Sequence, residues 1–287
     1  MKRLTICLSL GVLVAVVASW CVFLFRPSEA IRVGSYNIRQ SPGDRGTEND
    51  WDLRRDDLVK LVKKLNLDVF GMQEVCPDQA QYLRENLPEF AFVGDHREAD
   101  RKSGEASPVF YRQSRFDAEK SGTFWLSETP DVPASKSWGT CCTRVCSYLV
   151  LKDRVTGKRF CFANTHTDHV SAEAREKGML LIIERMKEFG AGAPIVFVGD
   201  HNCRYDDAPA KAVRQVLRDA RDLAEVADQG PQTTWHDWGK VTDMRLDYIY
   251  VSDGTRVFDF VTHDDRRPGT DLYPSDHFPV SATVILP

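Results

Sequence analysis

The sequence lacks several features that would assign it to a small or specialised structural class. It contains no C-x-x-C pair, which disfavours a zinc ribbon or a thioredoxin-type redox site. It also has no internal repeat, no low-complexity tract and no linker rich in proline, glycine and serine. With 42% hydrophobic and 28% charged residues, the composition is that of a globular protein with a sizeable core. These observations predict a single domain after the N-terminal segment.

An excess of positive charge is also missing. The chain has 38 basic and 42 acidic residues, and removing Lys2, Arg3, Arg26 and Glu29 with the first 30 residues leaves 35 and 41, a net charge of −6. An acidic domain is a poor general trap for polyanions, which disfavours tight, nonspecific binding of duplex nucleic acid. A local basic patch can outweigh the total, so the charge does not exclude a nuclease.

The first 30 residues differ from the rest of the chain. A basic start, Lys2-Arg3, precedes an uncharged and largely apolar run from Leu4 to Phe25, and Ser28-Glu29-Ala30 has the small-x-small pattern of a cleavage site. The run is about long enough to span a bilayer. We expect residues 1–30 to be a cleaved signal peptide or, as the second choice, an N-terminal membrane anchor. Either predicts that residues 31–287 are exported: secreted, periplasmic or held on the outer face of a membrane.

Six cysteines remain after residue 30, an even number that permits disulfide bonds in an oxidising compartment but does not fix their pairing. They are Cys76, Cys141, Cys142, Cys146, Cys161 and Cys203. Cys146 and Cys161 lie in strand-like runs, so we expect them to be buried as small apolar residues.

Short strand-like runs outnumber helical segments. Strands are predicted at Ile31–Ile38, Asp68–Val75, Phe90–Gly94, Pro108–Arg112, Gly122–Leu126, Arg144–Lys152, Arg159–Thr165, Pro194–Gly199, Arg245–Val251, Val257–Thr262 and His277–Leu286. Helical periodicity appears in Trp51–Leu65, Gln79–Leu87, Ala172–Phe189 and Ala208–Leu217. Ile195–Val198 is apolar at every position, which indicates a sheet covered on both faces. We therefore expect an α/β (α+β) fold with two sheets inside and helices outside, whereas a TIM barrel is disfavoured because helices do not follow each strand.

Polar and titratable side chains stand at the ends of these apolar strands, where packing gives no reason for them. They are Asn37 and Glu74 after the first two strands, His166 and Asp168 after another, Asp200 and Asn202 after Ile195–Val198, Asp247 within a strand, and Asp276-His277 before the last. Each has an ordinary alternative when taken singly, such as a turn residue, a helix cap, a surface histidine or a salt bridge. Because an unpaired buried carboxylate is costly, their recurrence beside apolar strands favours a shared site.

The motifs that contain these residues resemble, in the same order, those of the endonuclease/exonuclease/phosphatase superfamily. They are Ser35-Tyr36-Asn37-Ile38, Gln73-Glu74-Val75, Asn164-Thr165-His166, Gly199-Asp200-x-Asn202, Leu246-Asp247-Tyr248-Ile249 and Ser275-Asp276-His277-Phe278-Pro279-Val280. The resemblance covers essentially all of residues 31–287. Six ordered motifs are specific for the superfamily and nearly silent about the substrate.

The resemblance implies a four-layer α-β-β-α sandwich, in which two packed mixed β-sheets are flanked by helices and the site lies at one edge of the sheets. It implies a Mg²⁺ ion, for which Mn²⁺ would be a substitute, held by Glu74 with Asn37 and Asp276. The implied reaction is in-line attack of water on a phosphodiester or, as the less favoured case, on a phosphomonoester.

The resemblance also implies roles for the remaining motif residues. Asp200, oriented beside Asn202, would activate the attacking water. His277, held by Asp247, would contact the phosphate or act as the base itself, and the choice between these two bases stays open. His166 would stabilise the transition state or protonate the leaving oxygen. Further substrate contacts are expected from Tyr111, Arg112, Arg144 and Asp168.

Two other classes remain as alternatives. His201 stands where this superfamily usually has an apolar aromatic residue and, with His166, Asp168 and His169, it favours a calcineurin-type dinuclear metallophosphatase. That fold expects an Asp-x-His motif at the first strand, whereas this chain has Ser35-Tyr36-Asn37. A non-catalytic binding protein that retained the fold would have lost a core site residue, and none is missing.

The sequence leaves the substrate open between nucleic acid, a lipid headgroup and other phosphate esters, and it predicts a monomer. A nuclease needs a basic or aromatic surface beside the site, for which Arg97–Lys102 and Trp235–Trp238 are the candidates. A lipid hydrolase needs an exposed apolar hairpin, for which Phe124–Leu126 and Trp138 are the candidates, although Phe124–Leu126 is expected to be a core strand instead. Membrane contact would come through the N-terminal segment.

Overall fold

A computed structural model describes residues 28–287 of the chain. The signal peptide or membrane anchor predicted for residues 1–30 falls almost wholly outside these described residues. Among the helices of residues 28–287, none combines the length and the apolar character needed to cross a membrane. Residues 31–287 form one unit by their internal contacts.

The described residues contain twelve strands and five α-helices. The strands are β1 (Ile31–Asn37), β2 (Val69–Gln73), β3 (Phe90–Val93), β4 (Val109–Arg112), β5 (Phe116–Trp125), β6 (Val145–Asp153), β7 (Arg159–His166), β8 (Ile195–Asp200), β9 (Arg218–Asp219), β10 (Asp247–Val251), β11 (Arg256–Thr262) and β12 (Val280–Ile285). The helices are α1 (Trp51–Leu65), α2 (Pro77–Asn86), α3 (Ala172–Gly190), α4 (Ala208–Arg214) and α5 (Ala220–Leu223).

The strands form two six-stranded mixed sheets with matching topology. The first has the order β11-β12-β1-β2-β4-β3 and the second β5-β6-β7-β8-β10-β9. Each has one parallel pair at its centre, β1 with β2 and β7 with β8, and every other neighbouring pair is antiparallel. Parallel neighbours end at the same edge of a sheet, which brings the side chains after β1 and β2 together, and likewise those after β7 and β8.

Three apolar cores separate four layers. The inner core lies between the sheets and takes alternate residues from both, including Val33, Val69, Phe162 and Val198. One outer core packs the first sheet against α1, and the other packs the second sheet against α3 and α4. Because central strands such as β2, β8 and β10 bury both of their faces, their residues are apolar nearly throughout. The predicted α-β-β-α sandwich is thus confirmed.

Helix α1 shows how local sequence sets an element that borders the site. Asp50 caps it by accepting a hydrogen bond from the Asp52 N–H, and the helix ends where Asn66 adopts a left-handed conformation. Its buried face includes Leu58, Leu61, Val62 and Leu65, the face predicted from the periodicity.

A polar link joins the two sheets through their otherwise apolar interface. The Gln73 side chain in β2 donates to Asn164 Oδ1 in β7 at 2.7 Å, and Asn164 Nδ2 donates to the Met72 and Pro108 carbonyls. Gly71 makes room for this link, since a Cβ atom there would lie 2.2 Å from Asn164 Cγ. The sheets are therefore held in register beside the site by hydrogen bonds as well as by apolar packing.

Several sequence predictions about burial are confirmed. Cys146 and Cys161 have no exposed surface, and both pack in the outer core of the second sheet. Phe124, Trp125 and Leu126 are also buried, as expected of a core strand rather than an exposed hairpin.

Candidate active site

Asn37 joins the two sheets at the edge where β1, β2 and β8 end. Its amide nitrogen donates to Glu74 Oε1 at 3.0 Å and to Asp200 Oδ2 at 2.9 Å. Its amide oxygen accepts the backbone N–H of Arg39 at 3.0 Å. In this arrangement Asn37 orients two carboxylates. To bind a metal through its oxygen, as the sequence predicts, the side-chain amide would have to rotate so that its oxygen and nitrogen exchange places.

His277 lies between two carboxylates of the second sheet. Its Nδ1 is 2.8 Å from Asp247 Oδ2, and its Nε2 is 3.6 Å from Asp200 Oδ2. The register of β8 with β10 explains the cluster, because it pairs Asp200 directly with Asp247. Burial alone would lower the pKa of His277, but the Asp247 carboxylate outweighs it, with a further contribution from Asp200, and raises that pKa to about 10. His277 is therefore an imidazolium at neutral pH.

Asp200 is a buried carboxylate at the centre of the site. Burial is the largest influence on its pKa and raises it, His277 opposes that rise, and the Asp247 carboxylate adds to it. Its other oxygen accepts the Asn202 backbone N–H at 3.0 Å. A carboxyl group held above its usual pKa in a cleft has the property of a general base or acid.

His166 is a neutral histidine held by Asn202. The Asn202 amide nitrogen faces the Thr167 carbonyl at 3.0 Å and His166 Nε2 at 2.8 Å, and since the carbonyl can only accept, the same NH₂ group donates to the ring. Burial, followed by the charge of Arg144, keeps the pKa of His166 well below 6.5. Its Nε2 is 3.5 Å from Asp200 Oδ2.

Asp276 completes the acidic side of the site. It is buried, 3.9 Å from the Arg39 guanidinium, and its other oxygen is 3.4 Å from the Ser275 hydroxyl. Burial raises the pKa of Asp276 most, His277 opposes the rise and the Glu74 carboxylate adds to it. A buried Asp276 carboxylate and a half-buried Glu74 carboxylate that repel each other are a suitable donor set for a hard divalent cation.

Arg54 holds together the loops that carry these residues, and the sequence patterns did not reveal it. The side chain is fully buried in α1 and donates to the carbonyl oxygens of Ile38, Arg39 and Pro274. The segment after β1 is thereby tied to the segment before Asp276. A guanidinium with several donors in a fixed plane is suited to this task.

Three residues at the site have left-handed backbone conformations although none is glycine. Their φ angles are 58° at Arg39, 62° at Glu74 and 46° at Asn202. Such conformations are uncommon for side-chain-bearing residues and cluster at functional sites, where the surroundings hold them. Each follows the end of a strand and turns its side chain into the site region.

The residues surround an open cleft of about 600 Å³. Those predicted from the sequence that line it are Glu74, Arg144, His166, Asp200, Asn202, Asp276 and His277. Asn37 and Asp247 are buried beneath it and contact lining residues directly. The structure thus brings together nine of the twelve predicted site residues at one place.

The cleft also contains residues that the motifs did not single out for the site. Arg39, Arg97, Glu105, His169 and Trp235 all line it, and Arg97 pairs with Glu105 at 2.8 Å. Burial, followed by the repulsion of Glu74, raises the pKa of Glu105. The sequence could have indicated Arg39, because it lies two residues after Asn37. Glu105 lies in a loop without a motif, so no sequence pattern indicated it.

Tyr111 and Arg112 are not brought to the cleft, which corrects the expectation of phosphate contacts there. β4 runs antiparallel to β2, so that Tyr111 pairs with Val69 at the end of β2 opposite Glu74. The Arg112 guanidinium instead donates to Asn66 Oδ1 and the Leu67 carbonyl.

Asp168 does not line the cleft, and both of its carboxylate oxygens already accept hydrogen bonds from other groups of the protein. It accepts from Thr140, from Cys141 and from the backbone N–H groups of Val170 and Ser171. Burial would raise the pKa of Asp168, but these hydrogen bonds outweigh the effect of burial and lower that pKa. The predicted substrate contact is therefore corrected to a role in holding the loop before β6.

His201 is a core residue and not a metal ligand. Its ring stacks on Tyr248 and Tyr250, with centroids 5.6 and 5.5 Å apart, and burial lowers its pKa to about 3. It fills the aromatic position usual in the superfamily. The fold and this placement together exclude the dinuclear metallophosphatase alternative.

The fold and the site define a class, that of α-β-β-α sandwich phosphoesterases with an acidic, histidine-containing cleft at one sheet edge. The chain belongs to the Endonuclease/Exonuclease/phosphatase family, whose model matches residues 34–277. Enzymes of this family generally use divalent metals, and the carboxylates of Glu74 and Asp276 fit that requirement.

Three comparisons describe its relatives. A Bacteroides vulgatus protein of the same family is 32% identical, with a TM-score of 0.85 over 90% of this chain and 99% of that chain. A Bacteroides thetaiotaomicron mannosyl-6-phosphatase is 33% identical, with a TM-score of 0.83 over 89% of this chain and 100% of that chain. An uncharacterized protein of Acanthamoeba polyphaga mimivirus is 26% identical over 161 residues, a match that spans 53% of this chain and 59% of the viral protein.

Proposed function

We propose that this protein is a divalent-metal-dependent phosphoric monoester hydrolase in which Asp200 activates water and His277 binds the phosphate. The observation that carries the proposal is the position of Asp200 Oδ2, which lies 2.9 Å from the Asn37 amide and 3.5 to 3.6 Å from His166 and His277. A carboxylate held by the Asn37 amide and the charged His277, in an open cleft, can take a proton from water bound beside it.

The opposite pKa shifts of Asp200 and His277 favour one division of roles. The raised pKa of Asp200 makes it a stronger base than an ordinary carboxylate, whereas His277, with its pKa raised to about 10, has no free electron pair at neutral pH. The imidazolium instead attracts phosphate oxygens and stabilises the charge that develops on them. Asp247 keeps it charged and orients its ring.

His166 is suited to orienting groups rather than to protonating the leaving oxygen. It is neutral, and its Nε2 already accepts from Asn202. The network of His166 and Asn202 therefore fixes the position of Asp200 and its water. Arg144, whose guanidinium lines the same cleft, supplies a charged contact to the phosphate.

Glu74 and Asp276 would hold the metal ion, for which we propose Mg²⁺ with Mn²⁺ as a substitute. When bound, such an ion polarises a phosphoryl oxygen and offsets negative charge in the in-line displacement. The chain's own contribution is to orient the Glu74 carboxylate through Asn37 and the Gln40 backbone N–H, which donate to its two oxygens at 3.0 Å each. Asp276 is fixed by its Ser275 neighbour and by Arg39.

The lining of the cleft favours a small phosphomonoester with a hydroxyl-rich leaving group. Arg39, Arg97 and Arg144 provide positive charge for a phosphate dianion, while Gln40 and Glu105 can bond to hydroxyl groups. The similarity to a mannosyl-6-phosphatase along nearly the whole domain supports a sugar phosphate. This reverses the order of preference expected from the sequence, which put phosphodiesters first.

A phosphodiester remains the second candidate because a second pocket carries three basic residues. It measures about 540 Å³ and is lined by Arg84, Arg101 and Lys102, together with the acidic Glu85 and Asp95. A nucleic-acid strand that leaves the cleft would need such a surface. The burial of Phe124–Leu126 removes the main candidate for the hairpin of a lipid hydrolase and leaves the half-buried Trp138.

The test is a substrate panel on the full-length protein with Mg²⁺, with Mn²⁺ and after EDTA. We expect mannose 6-phosphate and p-nitrophenyl phosphate to be hydrolysed faster than bis-p-nitrophenyl phosphate or single-stranded DNA. EDTA should stop turnover, either metal should restore it, and Glu74→Gln should reduce kcat/KM by roughly 100-fold. The control is Glu119→Gln, an exposed residue of β5 whose partner is Arg159.

Two outcomes would contradict different parts of the proposal. Turnover that survives exhaustive chelation would remove the metal from the reaction, and a preference for the diester or DNA would replace the monoester by the second candidate. Export, a monomeric state and membrane contact through residues 1–30 remain proposals from the sequence, which fractionation and sizing of the full-length protein would test.

A further inference from the structure

Two adjacent cysteines lie at the rim of the cleft. Cys141 Sγ and Cys142 Sγ are 2.9 Å apart, and Cys142 lines the cleft beside Arg144 and His169. Both are partly exposed, whereas the other four cysteines of the described residues, at 76, 146, 161 and 203, are buried. The pair is therefore the accessible dithiol in this part of the chain.

The loop around the pair is fixed by Asp168. The carboxylate accepts from the Thr140 hydroxyl at 2.8 Å, from the Cys141 backbone N–H at 3.0 Å and from the Cys141 thiol at 2.9 Å. The Cys142 carbonyl lies 2.9 Å from the same Thr140 hydroxyl and shares its single proton with Asp168. Asp168 thus holds the Cys141 backbone and thiol in place, 2.9 Å from the Cys142 thiol.

The same carboxylate connects the thiols to the wall of the cleft. The Arg144 Nε atom is 3.9 Å from Asp168 Oδ2, and its Nη2 atom is 3.1 Å from His169 Nδ1. Cys141 Sγ is in turn 3.7 and 3.8 Å from the two ring nitrogens of His169. A change at Cys141 therefore reaches His169 directly and Arg144 through Asp168.

We propose that Cys141 and Cys142 form a reversible vicinal disulfide that alters substrate affinity in the adjacent cleft. Consecutive Cα atoms are about 3.8 Å apart, below the usual range of about 4.4 to 6.8 Å across a disulfide. A bond between neighbours is consequently strained, and strained disulfides are reduced easily. This pair would serve as a redox switch and not as a structural staple.

The oxidation needs a small-molecule disulfide such as oxidised glutathione as the electron acceptor. The Cys142 thiolate attacks one of its sulfurs, which forms a mixed disulfide and releases one glutathione thiolate. Cys141 then loses its proton and attacks Cys142 Sγ, which closes the intramolecular bond and releases the second glutathione thiolate. Two protein thiols are oxidised, one external disulfide is reduced, and the two protons end on the two glutathione thiols.

The order of attack follows from the surroundings of Cys141. Burial raises its pKa to about 12, with further contributions from the Asp168 carboxylate and from Cys142. At neutral pH Cys141 is therefore a protonated thiol that donates to Asp168, so the first attack belongs to Cys142 at the cleft.

Closing the disulfide removes one donor from Asp168. With the Cys141 S–H gone, the carboxylate has more unsatisfied charge facing Arg144, and the guanidinium moves toward it and away from His169. Since Arg144 is the proposed phosphate contact, this part of the inference rests on the proposed function, and we expect oxidation to raise KM about tenfold with a smaller change in kcat.

Mass spectrometry tests the disulfide without reference to activity. Native full-length protein is equilibrated with defined ratios of reduced to oxidised glutathione, alkylated with iodoacetamide, digested with trypsin and analysed without reduction. Cleavage after Lys136 and Arg144 isolates both cysteines in the peptide from Ser137 to Arg144. The expected product is this peptide without alkyl groups and two hydrogens lighter, restored by dithiothreitol. Full alkylation under every ratio, or pairing with another cysteine, would overturn the inference.

Kinetics of the two redox forms test the link to the cleft. The difference in KM should disappear in Cys142→Ser and persist in Cys76→Ser, a change at the N-cap of α2 where serine is well tolerated. A disulfide that forms while KM stays equal in both forms would refute the coupling. If no substrate is turned over at all, the peptide mass still decides whether the disulfide exists. Failure of the proposed function is therefore distinguishable from failure of the proposed disulfide.

Discussion

Three buried histidines of this protein differ in charge because their neighbours differ. His277 has the Asp247 carboxylate at 2.8 Å and is charged, whereas His166 faces the Asn202 amide and is neutral. His201 packs among aromatic rings and is neutral as well. The sign of each shift depends on whether a nearby carboxylate outweighs the cost of burial.

Removing the carboxylate beside His277 should change both rate and pH dependence. In Asp247→Asn, burial is no longer opposed by a contacting negative charge, so the pKa of His277 falls and the imidazolium loses its proton at lower pH. We expect kcat/KM to drop roughly 100-fold near pH 7 and the alkaline limb of the pH–rate profile to move downward.

The measurement is a pH–rate profile of Asp247→Asn beside the wild type and Asp253→Asn. Asp253 is exposed and pairs with Arg218 at the surface, so its loss should leave the profile in place. An alkaline limb that stays at its wild-type position in Asp247→Asn would show that His277 does not bind phosphate as a cation.

At the scale of elements, the parallel pairs β1–β2 and β7–β8 bring the site together, and a polar link aligns them. The link depends on the close approach of Gly71 to Asn164, where any side chain would strike the amide. The carboxylates of both sheets are thus placed with an accuracy that apolar packing alone does not provide.

Gly71→Ala should destabilise the protein by about 2 to 4 kcal/mol, because the new methyl group displaces Asn164 and leaves buried polar groups without partners. Urea denaturation measures the change. Asn164→Ala removes the obstructing atoms, so the double variant Gly71→Ala/Asn164→Ala should lose less than the sum of the single losses. Strict additivity would show that the two residues do not meet.

Much of the fold was available from the sequence, since eleven strands and four helices were predicted from apolar periodicity. β5 begins at Phe116, six residues earlier than predicted, because its first part is exposed and polar on an antiparallel edge. β9 and α5, of two and four residues, are too short to show a period. Irregular segments and short elements lack the repetition on which such predictions depend.

The candidate site was predictable where its residues follow apolar strands and not elsewhere. Glu74, Asp200 and His277 stand out because packing does not explain them. Arg54 and Glu105 lie in a helix and a loop, where charged residues are ordinary. Only the folded chain shows that Arg54 is buried and that Glu105 lines the cleft with a raised pKa. The prediction for Arg112 failed because the direction of β4 decides which edge of the sheet Arg112 reaches. The sequence of one strand does not indicate its direction relative to its neighbours.

For the whole molecule, stability in acid depends on histidines that are buried without charge. Burial lowers the pKa of His201 and of His236 to about 3 and that of His263 to about 4. The unfolded chain takes up these protons near pH 6.5 while the folded chain does not, so each contribution is present above pH 6.5 and is lost as the pH falls. Below pH 6.5 His277 is protonated in both the folded and the unfolded chain, so it does not make stability depend on pH there.

His201→Phe should separate this effect from the rest of the molecule. Phenylalanine keeps the stack against Tyr248 and Tyr250 but cannot be protonated. The free energy of unfolding of the variant, relative to that of the wild type, should therefore be about 2 kcal/mol more favourable at about pH 5 than at about pH 7.5. Paired urea titrations at the two pH values give this difference. An equal offset at both would mean that His201 is not the group being titrated.

The pairing of β1 with β12, the first strand with the last, has a consequence for synthesis. The six strands of the second sheet follow one another along the chain, whereas the first sheet needs β11 and β12 before Ile31 can meet Val284. During synthesis β1 can pair with β2 early, but its other edge stays without a partner until β12 has been made. A growing chain already holds Asp200 but lacks Asp276 and His277, so the cleft is complete only after the segment just before β12 has been made.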